Sequence, residues 1–109
     1  MKNYVESGDR LDLAAPRTLT SGSGALIGSI FGVAATDLAS GVVGVFMVVG
    51  VFDLPKHAGD TPTPGAHVYW DNTNFVVTTT ATGNTLIGVA TQAQQAGDVT
   101  VRVRLNESF

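Results

Sequence analysis

The sequence predicts an all-β fold: a small single-domain β-barrel or sandwich of short, mostly antiparallel strands. Three observations carry this. Val99, Val101, Val103 and Leu105 alternate with Thr100, Arg102 and Arg104, the period of a half-buried strand. His67 to Trp70 and Phe75 to Thr80 are β-branched and aromatic runs separated by Asp71-Asn72-Thr73-Asn74, whose Asx residues favour a tight hairpin loop. Thirteen glycines and four prolines are spread along the 109 residues, so turn signals recur at the spacing of short strands.

From the N-terminus, Lys2 to Glu6 and Leu11 to Ala14 read as strands joined across Ser7-Gly8-Asp9. Termini move unless tied down, so residues 1–9 are expected to be mobile. Pro16 to Gly24 is a loop, and Ala25 to Ala35 has strand propensity broken at Gly28 and Gly32. Val42 to Leu54 is the apolar centre. Val43, Val45, Met47, Val49 and Val51 form one alternating set, and Val42, Phe46, Val48, Phe52 and Leu54 the other. A strand apolar on both faces is buried on both, and in so small a domain the second face is expected to meet another subunit. A buried helix competes, but the β-branched density with Gly44 and Gly50 opposes it.

Residues 56–65 contain Gly59, Pro62, Pro64 and Gly65; prolines cannot donate to a ladder, so this is expected to be the longest exposed loop. After the turn Ala81-Thr82-Gly83-Asn84, Leu86 to Ala93 reads as the hairpin partner of the last strand, with Gly88 a bulge or close approach. Ala96-Gly97-Asp98 is the turn between them. The stretch Gly24 to Gly28 echoes Asn84 to Gly88 and is read as two similar strands.

Composition excludes several classes. Charged residues are 14 % of the chain, against roughly 25 % in soluble domains. With 44 % hydrophobic residues, apolar surface is expected to be buried against other subunits. No cysteine is present, so disulfides, thiolate zinc sites and cysteine nucleophiles are excluded. Six basic against nine acidic residues give no footprint for nucleic acid. The first ten residues lack an apolar core, so no signal peptide is expected. The longest apolar run, Val42 to Phe52, falls short of the ~20 residues that span a bilayer, so no membrane association is expected.

The same reading assigns no catalytic residue, no metal site and no cofactor. Gly22 to Gly28 has a GxGxxxG look, but no helix is expected after it, as a dinucleotide site requires. Gly83 and Gly88 have phosphate-loop spacing, yet Val89 and Ala90 stand where lysine and a hydroxyl are needed. His57 and His67 have no carboxylate at ligand spacing. Asp9, Asp12, Asp53 and Asp71 sit at turns or strand ends, where carboxylates cap or solvate. Phe46, Val48, Phe52, Tyr69 and Trp70 are candidates for a subunit interface. Adjacent Tyr69 and Trp70 must point to opposite faces of a strand. Core filling and subunit contact both stay open for these residues.

Several stretches together resemble a known family. They are Met1-Lys2-Asn3-Tyr4-Val5, Ser21 to Gly24 leading into Phe31 to Ala35, and Gly50 to Lys56. Val68-Tyr69-Trp70-Asp71, Thr78 to Ala90, and Gly97 to Asn106 complete the set. This pattern is similar to the capsid cement, or head decoration, proteins of tailed phages and prophages. One departure is Ala66-His67, where the family more often has Gly-Asp before Val-Tyr-Trp. Family members are often labelled RecA/RadA recombinase, a chemistry this chain cannot run without a Walker lysine. The resemblance implies a non-catalytic structural protein on the outer capsid surface of a virion, made in the bacterial host cytoplasm. It implies the major capsid protein as partner and a homo-oligomer, with a trimer favoured. Lys2, Asn3 and Tyr4 are the candidate capsid contacts. The alternative is a β-barrel binding a small ligand or carbohydrate, as a host-surface adhesion module, with Trp70 near the Pro/Gly loop.

Overall fold

The computed structural model describes residues 10–105. Expectations placed on residues 1–9, including the first strand and the candidate contacts Lys2, Asn3 and Tyr4, lie outside them. Nine strands run along the described residues, with no helix: β1 Arg10–Ala14, β2 Gly24–Ile27, β3 Ile30–Ala34, β4 Val43–Met47, β5 Val51–Pro55, β6 His67–Asp71, β7 Val76–Thr78, β8 Thr85–Ala90 and β9 Thr100–Leu105. They form two antiparallel sheets, of order β1-β4-β3-β2 and β5-β9-β8-β6-β7. The all-β reading is thereby shown.

The apolar centre is corrected. Val42 to Leu54 is not one doubly buried strand but two strands in different sheets, β4 and β5. Gly50 breaks it at φ 129°, a backbone angle that β-branched residues avoid. Val43 and Val51 remain 64 % and 52 % exposed. The strand buried on both faces is β3. Its large residues Phe31 and Val33 point to one side, its small residues Gly32 and Ala34 to the other, and all four are buried. Gly32 therefore does not break the strand; a Cβ there would meet the Phe46 Cβ at 3.0 Å. Gly28, at φ 61°, does break it, turning β2 into β3.

The five-stranded sheet curls into a half-barrel around Leu54, Val68, Trp70, Val77, Val101 and Val103. Phe31 and Val33 of the other sheet enter the same core, where the Phe31 and Trp70 ring centroids lie 4.9 Å apart. The far face of the four-stranded sheet has a smaller core, with Ala25, Ala34 and Phe46 covered by Ala15, Leu19 and Leu38. Leu19 and Leu38 exchange backbone hydrogen bonds of 2.8 and 2.9 Å to fasten this cover.

The segment 56–65 is not simply an exposed loop, because Lys56 and Pro62 are buried. Lys56 forms a parallel bridge to Val77, drawing the β5 end against β7. Its Nζ donates to the carbonyls of His57 (2.9 Å) and Asp60 (2.7 Å), so the buried ammonium is satisfied by the loop it supports. The Asp60 carboxylate accepts from Thr78 Oγ1 at 2.8 Å and from Thr79 N–H at 3.0 Å. Burial works to raise the Asp60 pKa, but these hydrogen bonds, helped by nearby His57, outweigh it and hold the carboxyl below its ordinary value.

Three smaller expectations change. The strand β8 stops at Ala90 rather than Ala93, and β9 starts at Thr100, leaving Val99 78 % exposed beyond the turn. Phe75 belongs to the turn before β7, at φ 57°. The two Leu-Ile-Gly stretches also differ in role. Gly28 makes a turn, whereas Gly88 lies within β8 beside that strand's own bulge at Ile87, where an added Cβ would collide with the Arg104 carbonyl.

Two outcomes test this packing in urea denaturation. Asp60→Ala is expected to cost about 1.5–3 kcal/mol, the loss of hydrogen bonds to a charged group. Because the folded pKa is depressed, that contribution is complete above the unfolded carboxyl pKa of about 3.9. It disappears as pH falls from there through the folded value, so the acid limb of stability is shallower in the variant. Gly88→Ala is expected to cost about 3 kcal/mol or more through overpacking against β9.

Candidate functional site

The sequence candidates do not come together on one surface. Phe46 is fully buried in the smaller core, Val48 is buried, and Trp70 is 1 % exposed within the half-barrel. Phe52 is half-buried against the barrel core. Tyr69 is half-buried on the opposite face of β6 from Trp70, in register with Thr78 and Leu86. Of these five, only Phe52 and Tyr69 keep appreciable side-chain surface. Trp70 finds an internal partner for its polar end, Nε1–H donating to Asn72 Oδ1 at 3.1 Å. It is therefore not a platform beside the Pro/Gly loop for a sugar to stack on.

Several titratable groups have local structural work. Asp53 and Arg102 form a two-pronged ion pair of 2.9 and 3.2 Å on the outer face of the β5–β9 pair. The Arg102 hydrogen bond holds the Asp53 carboxyl below the ordinary carboxylate range. Hydrogen bonds from the Asn74 side chain and from the Thr73 and Asn74 backbone do the same for Asp71, which organises the β6–β7 turn. Among the described residues, no group of three or more His, Cys, Asp or Glu could hold a metal ion. A cleft of about 170 Å³ lies beside His67, Leu86, Val89 and Arg104, and an open groove of about 500 Å³ runs between Thr61–Thr63 and Ala93–Ala96. Neither is lined by a Phe, Tyr or Trp side chain.

The surface that stands out is apolar. The half-barrel packs on the β2–β3 end of the four-stranded sheet, through Leu26, Phe31 and Val33. On the same face, the β1–β4 end overhangs. Register places Arg10 beside Met47, Asp12 beside Val45 and Ala14 beside Val43. Val43 and Val45 are 64 % and 37 % exposed there. Sequence pattern identified this valine set as one face of the apolar centre. The signal that it faces outward was the charged pair Arg10 and Asp12, alternating on the neighbouring strand.

A family model described as phage cement protein matches residues 5–105. The chain belongs to the phage cement protein family. No curated protein and no solved structure matches it. A structural role in the phage capsid fits the architecture described: two tightly packed sheets and an exposed apolar overhang, with the polar groups spent on turns and clasps.

Trp70 is the only tryptophan, which makes its burial readable by fluorescence. Its emission is expected to be blue-shifted and independent of protein concentration, because the burial lies within one chain. Emission that moves with concentration would place Trp70 in a subunit seam instead. Trp70→Ala is expected to cost about 3–5 kcal/mol.

Proposed function

We propose that this cement protein binds the outer surface of the phage head, on the major capsid protein, and acts without catalysis. The match to the phage cement family over residues 5–105 carries the reading. Each copy contributes a modest contact, and the repeating shell multiplies it by avidity. The stiff part is the two-sheet core, which resists shear when its ends are held by neighbouring coat subunits.

The proposal includes a homo-oligomer, with a trimer favoured, assembled after synthesis in the bacterial host cytoplasm. Low charge and residual apolar surface support association. Of the interface residues chosen from sequence, Phe52 and Tyr69 have side-chain surface to share, whereas Phe46, Val48 and Trp70 are buried within the chain. Lys2, Asn3 and Tyr4 are proposed to reach the coat protein.

Light scattering coupled to size exclusion, across a concentration range, tests the oligomer. A discrete trimer is expected, and a persistent monomer would remove the preassembled form. Co-sedimentation with expanded heads that lack cement protein tests the function itself. Saturable binding is expected; none at any concentration would overturn the cement reading for this chain.

A further inference from the structure

The segment that closes the half-barrel, residues 56–65, is fastened differently on its two sides. Toward β9 and the chain before it, the fastening is main chain. Lys56 N–H donates to Val99 O at 2.9 Å, Gly59 N–H to Ala96 O at 3.1 Å, and Gln94 N–H to Pro62 O at 3.0 Å. Toward β7, among the described residues, the segment has the Lys56–Val77 bridge, in which His57 N–H donates to Val77 O at 2.8 Å, and the Asp60 carboxylate. A titratable group therefore works on the β7 side and main-chain amides on the other.

Two donors converge on one oxygen of that carboxylate. Thr78 Oγ1 and Thr79 N–H both donate to Asp60 Oδ2, and His57 Nδ1 lies 3.7 Å from the same atom. Thr78 Oγ1 itself accepts from Thr80 N–H at 3.2 Å, which directs its own proton to Asp60. A charged carboxylate oxygen takes both donors; once protonated, the group keeps one proton of its own and becomes a weaker, neutral acceptor. The charged groups facing Asp60 are Lys56 and His57 of its own segment, and the Lys56 ammonium holds the Asp60 carbonyl at 2.7 Å. The end of β7 brings only Thr78 and Thr79. Asp71 of β6 lies within electrostatic reach of His57, and Asp98 is taken up by Gln95 N–H.

We propose that Asp60 is a proton-sensitive latch: its protonation frees residues 56–65 from β7 while they stay fastened on the β9 side, so the half-barrel opens at this seam before the sheets unfold. Opening brings water to the Lys56 ammonium, which is buried in the closed form, and its hydration offsets part of the lost bonding. Burial works to raise the Asp60 pKa and the hydrogen bonds with His57 lower it, the net effect being a depression. The latch is thus closed above the ordinary carboxyl value of about 3.9 and opens as pH falls below it. The inference is independent of how the protein attaches to a shell.

Amide hydrogen exchange on the full chain, read by NMR as protection factors, tests the latch. Two adjacent amides report its two sides, His57 N–H on Val77 and Lys56 N–H on Val99, with Leu105 N–H on Gly50 as the reporter of the sheet. In Asp60→Asn, which removes the charge at nearly constant size, His57 protection at neutral pH is expected to fall about tenfold or more, the loss of a charge-assisted hydrogen bond. Lys56 and Leu105 are expected to keep theirs. The wild type is expected to reach the same pattern on acidification below about pH 3.9, and it decides alone should the variant not fold. Wild-type His57 protection in the folded variant would overturn the latch, as would His57, Lys56 and Leu105 losing protection together. A loss that follows histidine titration near about pH 6.5, or an acid step that persists in Asp60→Asn, would also overturn it.

Discussion

The structure depends on one aromatic contact. Phe31 of β3 and Trp70 of β6 meet at 4.9 Å with planes tilted by 53°, joining the two sheets into one core. Gly24 makes the contact possible: a Cβ there would lie 2.6 Å from the Phe31 ring and 3.1 Å from Trp70. Leu26 and Val33 pack alongside. Tilted ring pairs of this kind contribute about 0.5–1.5 kcal/mol beyond their buried area. The larger consequence is geometric. Because the half-barrel seats on the β2–β3 end of its neighbour, the β1–β4 end must overhang.

The second constraint is how the half-barrel is drawn together. Between β5 and β7 a single Lys56–Val77 bridge stands in place of a ladder, and the loop after β5 folds over that gap. A buried lysine and a partly buried aspartate hold the loop through main-chain and threonine partners. Polar groups placed this way serve closure, and they account for charges that composition alone left unassigned. Arg17 plays a similar part elsewhere, its guanidinium lying 3.8 Å above the Phe75 ring while donating to Gly24 O.

These constraints suit a cement protein. Its work needs a stiff body and surfaces that are individually weak, since avidity on a repeating lattice supplies the strength. A deep pocket or a tuned catalytic group would add nothing to that task. The exposed valines would be a hazard on a free protein and suit one that is held against a shell.

Much of the fold was legible because strands write their own period. Residues Val101 to Leu105 in β9, the Asx turn after β6 and the close approach at Gly88 were all readable locally. The Val42 to Leu54 run was misread for a physical reason. When both alternating sets are apolar, periodicity cannot say which face is covered or where a chain passes from one sheet to another. Burial of Phe46, Val48 and Trp70 inside the chain was equally hidden, because cores and interfaces use the same residue types. By itself the sequence determined the all-β class, the turns after β6, before β8 and before β9, the family and the exclusion of cysteine chemistry, all of which depend on residue identity and short spacing. Only the tertiary structure decided which strand is buried twice, how the barrel is clasped and which valines face outward. Those depend on long-range packing between residues that share no local signal.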